Sequence, residues 1–249
     1  MHTSVPRGNC ERTSIRRSEA LRLRGWRFRR GRRRLARRYI RGEGIEIGGL
    51  NEPLRLPRGA SARYVDRLGT AALRERFPEL AGEELVEVDV VDEGETLGTF
   101  ANGSQDFVVA NHFLEHTEDP IAALASQLRV LRLGGIAFLA IPDKRFTFDR
   151  EREPTTVEHV LRDHGGGPAA SRRAHYEDWA AHVVWADDPV AEGARLDEAG
   201  AEIHFHVWTR EGFGELLTRA RDVLNMPFDL LALEPNRHEF IVILRKRSP

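Results

Sequence analysis

One cysteine, Cys10, stands in the 249-residue chain, so no internal disulfide can form. A fold without disulfides suits a reducing compartment, and a cytoplasmic address is the expectation. Long apolar runs are missing as well. Nothing approaches the roughly 18 consecutive apolar residues that a membrane-crossing helix needs. The polar, basic N-terminus also lacks the apolar core of a signal peptide. Lysine is scarce: Lys144 and Lys246 are the only two, and arginine supplies the other 36 basic residues. Acid is nearly absent from residues 1–41, which hold fifteen arginines and two glutamates, a net +13. The remainder carries 23 basic and 37 acidic residues, a net −14. This division predicts a basic N-terminal arm, residues 1–41, on an acidic body, residues 42–249. Gly25 and Gly31 interrupt the arm, and its apolar residues keep no single helical face. It is expected to lie loosely ordered on the body. An anionic partner such as nucleic acid is the second reading of so much arginine.

The body has what a globular core requires, with 41% apolar and 31% charged residues over the whole chain. Short apolar strands and helical stretches alternate from residue 44 to 142. The strands are "GIEIGG", "ARYVDR", "ELVEVDVVDEG", "SQDFVVAN" and "IAFLAIP". "TAALRERFPEL" reads as a helix between the second and third. "EDPIAALASQLRVLRLGG" reads as a helix between the fourth and fifth, opened by Pro120 and ended by Gly134-Gly135. Continuous apolar strands alternating with helices indicate a parallel sheet covered on both faces. After residue 203 the order changes to one helix and two strands, "FDLLALE" and "EFIVILRKR", a closing antiparallel hairpin. Between them, residues 144–203 read as a polar, His- and Trp-rich helical insertion. The expected fold is α/β: a Rossmann-like, doubly wound, mostly parallel sheet with a C-terminal antiparallel hairpin and a helical insertion.

The stretch His112-Phe113-Leu114-Glu115-His116 has the H-x-x-E-H form of a zinc-protease signature. That chemistry needs a long helix carrying both histidines on one face and a distant third ligand. Here the string follows a buried strand directly, and Pro120 starts a new helix four residues later. No metal is expected on these residues.

Several pieces converge on another reading. The first strand ends Glu46-Ile47-Gly48-Gly49, the second ends on Asp66 twenty residues after Glu46, and a hairpin closes the chain. Asp106-Phe107-Val108-Val109 leads into the His112–His116 turn and then Glu118-Asp119-Pro120, followed by "LRVLRLGGIAFLAIPD". Together these resemble the class I S-adenosylmethionine-dependent methyltransferases, in a branch with a His-x-Leu-Glu-His turn after strand four. The first loop departs from the usual pattern: Leu50 and Glu52 stand where later glycines are common, and Pro53 and Pro57 replace the helix that ordinarily follows.

The resemblance implies S-adenosyl-L-methionine as cofactor. Gly48 and Gly49 would let the methionyl end pass close to the backbone. Glu46 would contact that end, and Asp66 would take the ribose hydroxyls, two donors suited to one carboxylate. Asp92, with Asp89 as its rival, would approach the adenine, and Asn111 joins the cofactor set. A general base is needed where the acceptor must lose a proton, as a hydroxyl does. His112 after strand four, Asp143 after strand five and His175 in the insertion are the candidates. The expected acceptor is a small molecule, with a sugar or natural-product hydroxyl or amine foremost. An RNA methyltransferase, or a non-catalytic nucleic-acid-associated protein using the arm, is the alternative. His204 and His206 alternate with apolar residues as one polar face of an extended segment, His116 reads as a turn-fixing residue, and Glu115 as a cap for the next helix.

Overall fold

A computed structural model describes residues 29–248. Its centre is a seven-stranded sheet in the order β3-β2-β1-β4-β5-β7-β6. The strands are β1 (Glu43–Ile47), β2 (Ser61–Asp66), β3 (Val90–Val91), β4 (Gln105–Asn111), β5 (Leu131–Pro142), β6 (Phe228–Asn236) and β7 (Glu239–Lys246), with the short helix α2 (Thr70–Arg76) between β2 and β3. The first five pair in parallel, and β7 runs antiparallel to both β5 and β6. The α/β expectation, including the closing hairpin, holds.

The side chains of the central strands alternate between two buried layers, as a pleated sheet covered on both faces requires. Val108, Ala110, Leu139, Val242 and Leu244 face one layer with α3 (Pro120–Val130), α4 (Val157–Gly166) and α7 (Arg210–Leu224). Phe107, Val109, Phe138, Ala140, Ile241 and Ile243 face the other. That second layer corrects the reading of the arm. Residues 29–39 form a helix, α1, and Leu35, Ala36 and Ile40 are fully buried against the sheet. Gly31 lies inside this helix rather than breaking it. Arg32 forks onto the buried Glu239 of β7 at 2.9 and 2.6 Å. The helix is tied to the sheet by packing and by a buried ion pair. Gly25 lies outside the described residues.

A second correction concerns α3. Asp119 caps it by accepting from the Ala122 amide at 2.9 Å, and Pro120 opens it. It ends at Val130, not at the glycines, because Leu131 already pairs with Gln105 of β4. Residues 132–135 bulge out of β5 before pairing resumes at Phe107 and Ile136, and Gly134 supplies the left-handed turn at φ 79°. Between β5 and α7 the chain is helical: two 3-10 turns, α4, α5 (Ala169–Trp179) continued by a π-turn, and α6 (Pro189–Glu198).

Candidate active site

A cleft of about 360 Å³ opens at the carboxyl ends of β1, β2 and β4. In a parallel sheet this is where ligands bind, because the chain crosses away from the edge in opposite directions there. Gly48 and Leu50 follow β1, Asp66 ends β2, Glu93 to Glu95 follow β3, and His112 and Phe113 follow β4. The insertion supplies the opposite wall through Arg172, Tyr176 and residues 200–203.

The first loop is shaped from beneath. Glu46 is buried and accepts the Leu54 amide with both carboxylate oxygens, at 2.8 and 3.0 Å. Burial pushes its carboxyl up to about 7, against the pull of the Leu54 amide and the Arg32 charge. Glu46 therefore sits under the loop and fixes its path, and it does not line the cleft. Gly48 does line it, at φ 65°, with nothing within 4 Å of where a Cβ would stand. Gly49 packs on Tyr64 and Val86 instead. Pro53 and Pro57 are compatible with this loop because the Glu46 bond, not a helix, satisfies the Leu54 amide.

Asp66 reaches the cleft, and burial raises its carboxyl. Asp92 does not reach it: its oxygens accept from the Glu93 amide and from the Thr99 amide and hydroxyl at 2.6–2.9 Å, so it ties its own loop. The loop it ties presents Glu93, Gly94 and Glu95 to the cleft. Asp89 accepts the Tyr64 amide at 2.7 Å and likewise stands outside the cleft. Asn111 faces Glu46 at 3.5 Å, with its Oδ1 buried and unpaired.

Of the three candidate bases the structure brings only His112 to the cleft. His112 turns sharply out of β4 at φ 51°, a conformation that costs energy in a residue with a Cβ. Its Nε2 lies 2.7 Å from Glu239 Oε2. Burial alone would raise the Glu239 carboxyl, but hydrogen bonds from His112 and Arg32 bring it down to about 2. An ionised Glu239 accepts, so Nε2 carries the proton and Nδ1 keeps the lone pair. Asp143 is buried and held bidentately by Arg145 at 2.9 and 2.6 Å, away from the cleft. His175 lies behind the cleft wall, 3.1 Å from His159.

His112 and His116 point apart: His112 turns to Glu239, while His116 Nδ1 donates to the Ile203 carbonyl, 2.9 Å away, and the ring packs edge-on to His204. Two further expectations need correction. Glu115 does not cap α3. It is fully buried, both oxygens lack a partner, and burial raises its carboxyl. His204 and His206 do not form a polar face, because all of residues 203–208 are buried; His204 pairs with Asp149 at 2.8 Å.

Cleft residues that sequence reasoning missed include Arg67, Glu93, Glu95, Glu118, Arg172 and Glu202. Arg67 pairs with Glu202, and Arg172 with Glu118 and Asp197. Five carboxylates therefore face the cleft, and both of its arginines are engaged by acids. Tyr176, next to His175 in the insertion, also lines the cleft.

Residues 59–139, about a third of the chain, match a family model described as a methyltransferase domain. No curated protein sequence matches significantly. The structure of a Haloferax volcanii complex with the Trm112 methyltransferase activator aligns at TM-score 0.51 and 12% identity, covering 93% of this chain and 94% of that one. A protein assigned as a zinc-dependent alcohol dehydrogenase from Rhodobacter sphaeroides aligns at TM-score 0.51 and 15% identity, covering 88% and 90%. These two likenesses are of fold. The CurJ carbon methyltransferase, at TM-score 0.44 and 14% identity, is covered over 49% of its length by 84% of this chain, so the chain spans about half of it. Among the described residues no helix is long and apolar enough to cross a membrane. The segment from residue 59 to 139 is thus similar to a methyltransferase domain, an enzyme unit.

Proposed function

We propose that the cleft binds S-adenosylmethionine and that the protein methylates a small cytoplasmic molecule at a hydroxyl or amine, within the branch marked by the His-x-Leu-Glu-His turn. We further propose that the catalytic unit takes in α1 and is not confined to residues 42–249. The residues fit the cofactor. Open space over Gly48 leaves room for a chain passing close to the backbone, and Asp66 offers a carboxylate to a vicinal diol. Five carboxylates suit a cation. Bound S-adenosylmethionine would supply a methyl group on a positively charged sulfur.

The chain's own work is to align an acceptor and take its proton. The observation that carries the reading is the His112–Glu239 pair. It fixes the ring and leaves the Nδ1 lone pair free to accept the acceptor's proton. An acidic cleft disfavours a polyanion, which supports a small neutral or cationic acceptor over RNA. The test is transfer of a labelled methyl group to small-molecule fractions. His112→Ala should lower turnover by roughly 10²–10⁴-fold, the usual contribution of general base catalysis, without changing cofactor affinity. Unchanged turnover would remove His112 from the reaction.

A further inference from the structure

Behind the insertion wall three histidines meet. His159 on α4 and His175 on α5 bring their Nε2 atoms within 3.1 Å of each other. Asp163, one turn after His159 on the same face of α4, places Oδ2 3.1 Å from His159 Nε2 and 3.9 Å from His175 Nε2. His206, from the buried segment before α7, closes the group with its ring centre 5.0 Å from that of His175 and 5.8 Å from that of His159. One ligand atom from each histidine lies within 4.8 Å of the others.

We propose that His159, His175 and His206 form a zinc site, with Asp163 beside it, that ties the helical insertion together. Zinc at about 2.0–2.1 Å from nitrogen in a tetrahedron sets its ligand atoms roughly 3.3 Å apart, which His159 and His175 match at 3.1 Å and His206 approaches within 4.8 Å. The fully buried His206 carries the independent signal. Its Nε2 donates to the Glu118 carbonyl at 3.2 Å, which leaves the lone pair on Nδ1, and Nδ1 is buried with no partner. A metal-bound histidine has this arrangement, one nitrogen anchored to a carbonyl and the other bare. Asp163 is braced in the same way by the Ser171 hydroxyl at 2.5 Å. Three imidazoles supply three of the four tetrahedral positions, and Asp163 stands beside His159 and His175, near the fourth. None of the four lines the cleft, yet Arg172 and Tyr176 on α5 and Phe205 beside His206 do. The metal would therefore hold the wall and take no part in the reaction.

The experiment loads the full-length protein with zinc, dialyses it and measures metal content, alongside melting with and without zinc. About one zinc per chain and a melting point raised by zinc are expected for the native protein. The double variant His159→Gln/His175→Gln should lose the bound zinc and the zinc-dependent rise while keeping its circular dichroism. Should that variant fail to fold, cobalt loading of the native protein decides: a tetrahedral visible spectrum, unchanged in His116→Gln/His204→Gln, supports the site. Absence of zinc from the native protein, retention in the His159/His175 variant, or loss only in the His116/His204 variant would overturn it. Cofactor binding by calorimetry is independent of these readouts, so the zinc site can fail while the methyltransferase reading stands.

Discussion

His112 Nε2 meets Glu239 Oε2 at 2.7 Å, joining the turn after β4 to the first residue of β7, 127 positions away. The same carboxylate holds Arg32 of α1. One buried acid thus connects the cleft histidine to a helix that composition alone assigned to an arm. Replacing Glu239 by Gln should lower turnover through the misplaced imidazole and move the pH profile of turnover, while cofactor binding stays as it was. A drop in turnover with an unmoved pH profile would show that Glu239 serves folding only.

Arg32→Met should destabilise the protein by roughly 3–5 kcal/mol, because it removes the arginine partner of a buried carboxylate and leaves only His112 and Asn236 on it. Chemical denaturation checks this. Removal of residues 1–41 should be more damaging still, since it also strips Leu35, Ala36 and Ile40 from the sheet. A stable, cooperative fold after that deletion would return α1 to the status of an appendage.

The sheet was legible because its strands are apolar runs punctuated by glycine and proline, and Asp66 and His112 were legible because they end strands. The arm misled because its charge is real: Arg33, Arg37 and Arg38 cover one side of α1, while only Leu35, Ala36 and Ile40 mark the other as buried. Composition outvoted a three-residue face. Asp92 illustrates a different limit. An acid at the right interval can tie its own loop, and nothing in the string separates that from a ligand contact. The His159, Asp163, His175 and His206 group is spread over 48 positions and three segments, so only folding brings it together.

The Glu46 contribution to stability should fall as pH rises from about 4.5 to about 7, against the opposite trend set by burial of His116, His175 and His206. The Glu46 carboxyl is raised in the folded state to about 7 from an ordinary 4.5, so the folded protein binds that proton more tightly. Its contribution is complete below about 4.5 and is lost through neutrality, worth roughly 3 kcal/mol. Glu239, lowered to about 2, acts oppositely: its contribution is present above about 4.5 and is lost as pH falls toward 2. Urea unfolding at a series of pH values checks both. Relative to the native protein, Glu46→Gln should make stability rise more, or fall less, between pH 4.5 and 7, and an unaltered slope would contradict the assignment.

Gly48→Ala should cost roughly 1–2 kcal/mol of stability from its left-handed backbone. It should also weaken cofactor binding, since the new Cβ projects into the cleft. Gly49→Ala should act on stability alone, through Tyr64 and Val86. Equal effects of the two changes on cofactor affinity would argue that the loop does not face the ligand.

Titration calorimetry of S-adenosylmethionine against the native protein and Asp66→Ala tests the central claim. The native protein should bind the cofactor, and the variant should bind it roughly 1.5–3 kcal/mol more weakly, the range for hydrogen bonds to a charged group. Equal affinity in the two, or no heat with the native protein, would contradict the assignment of this cleft.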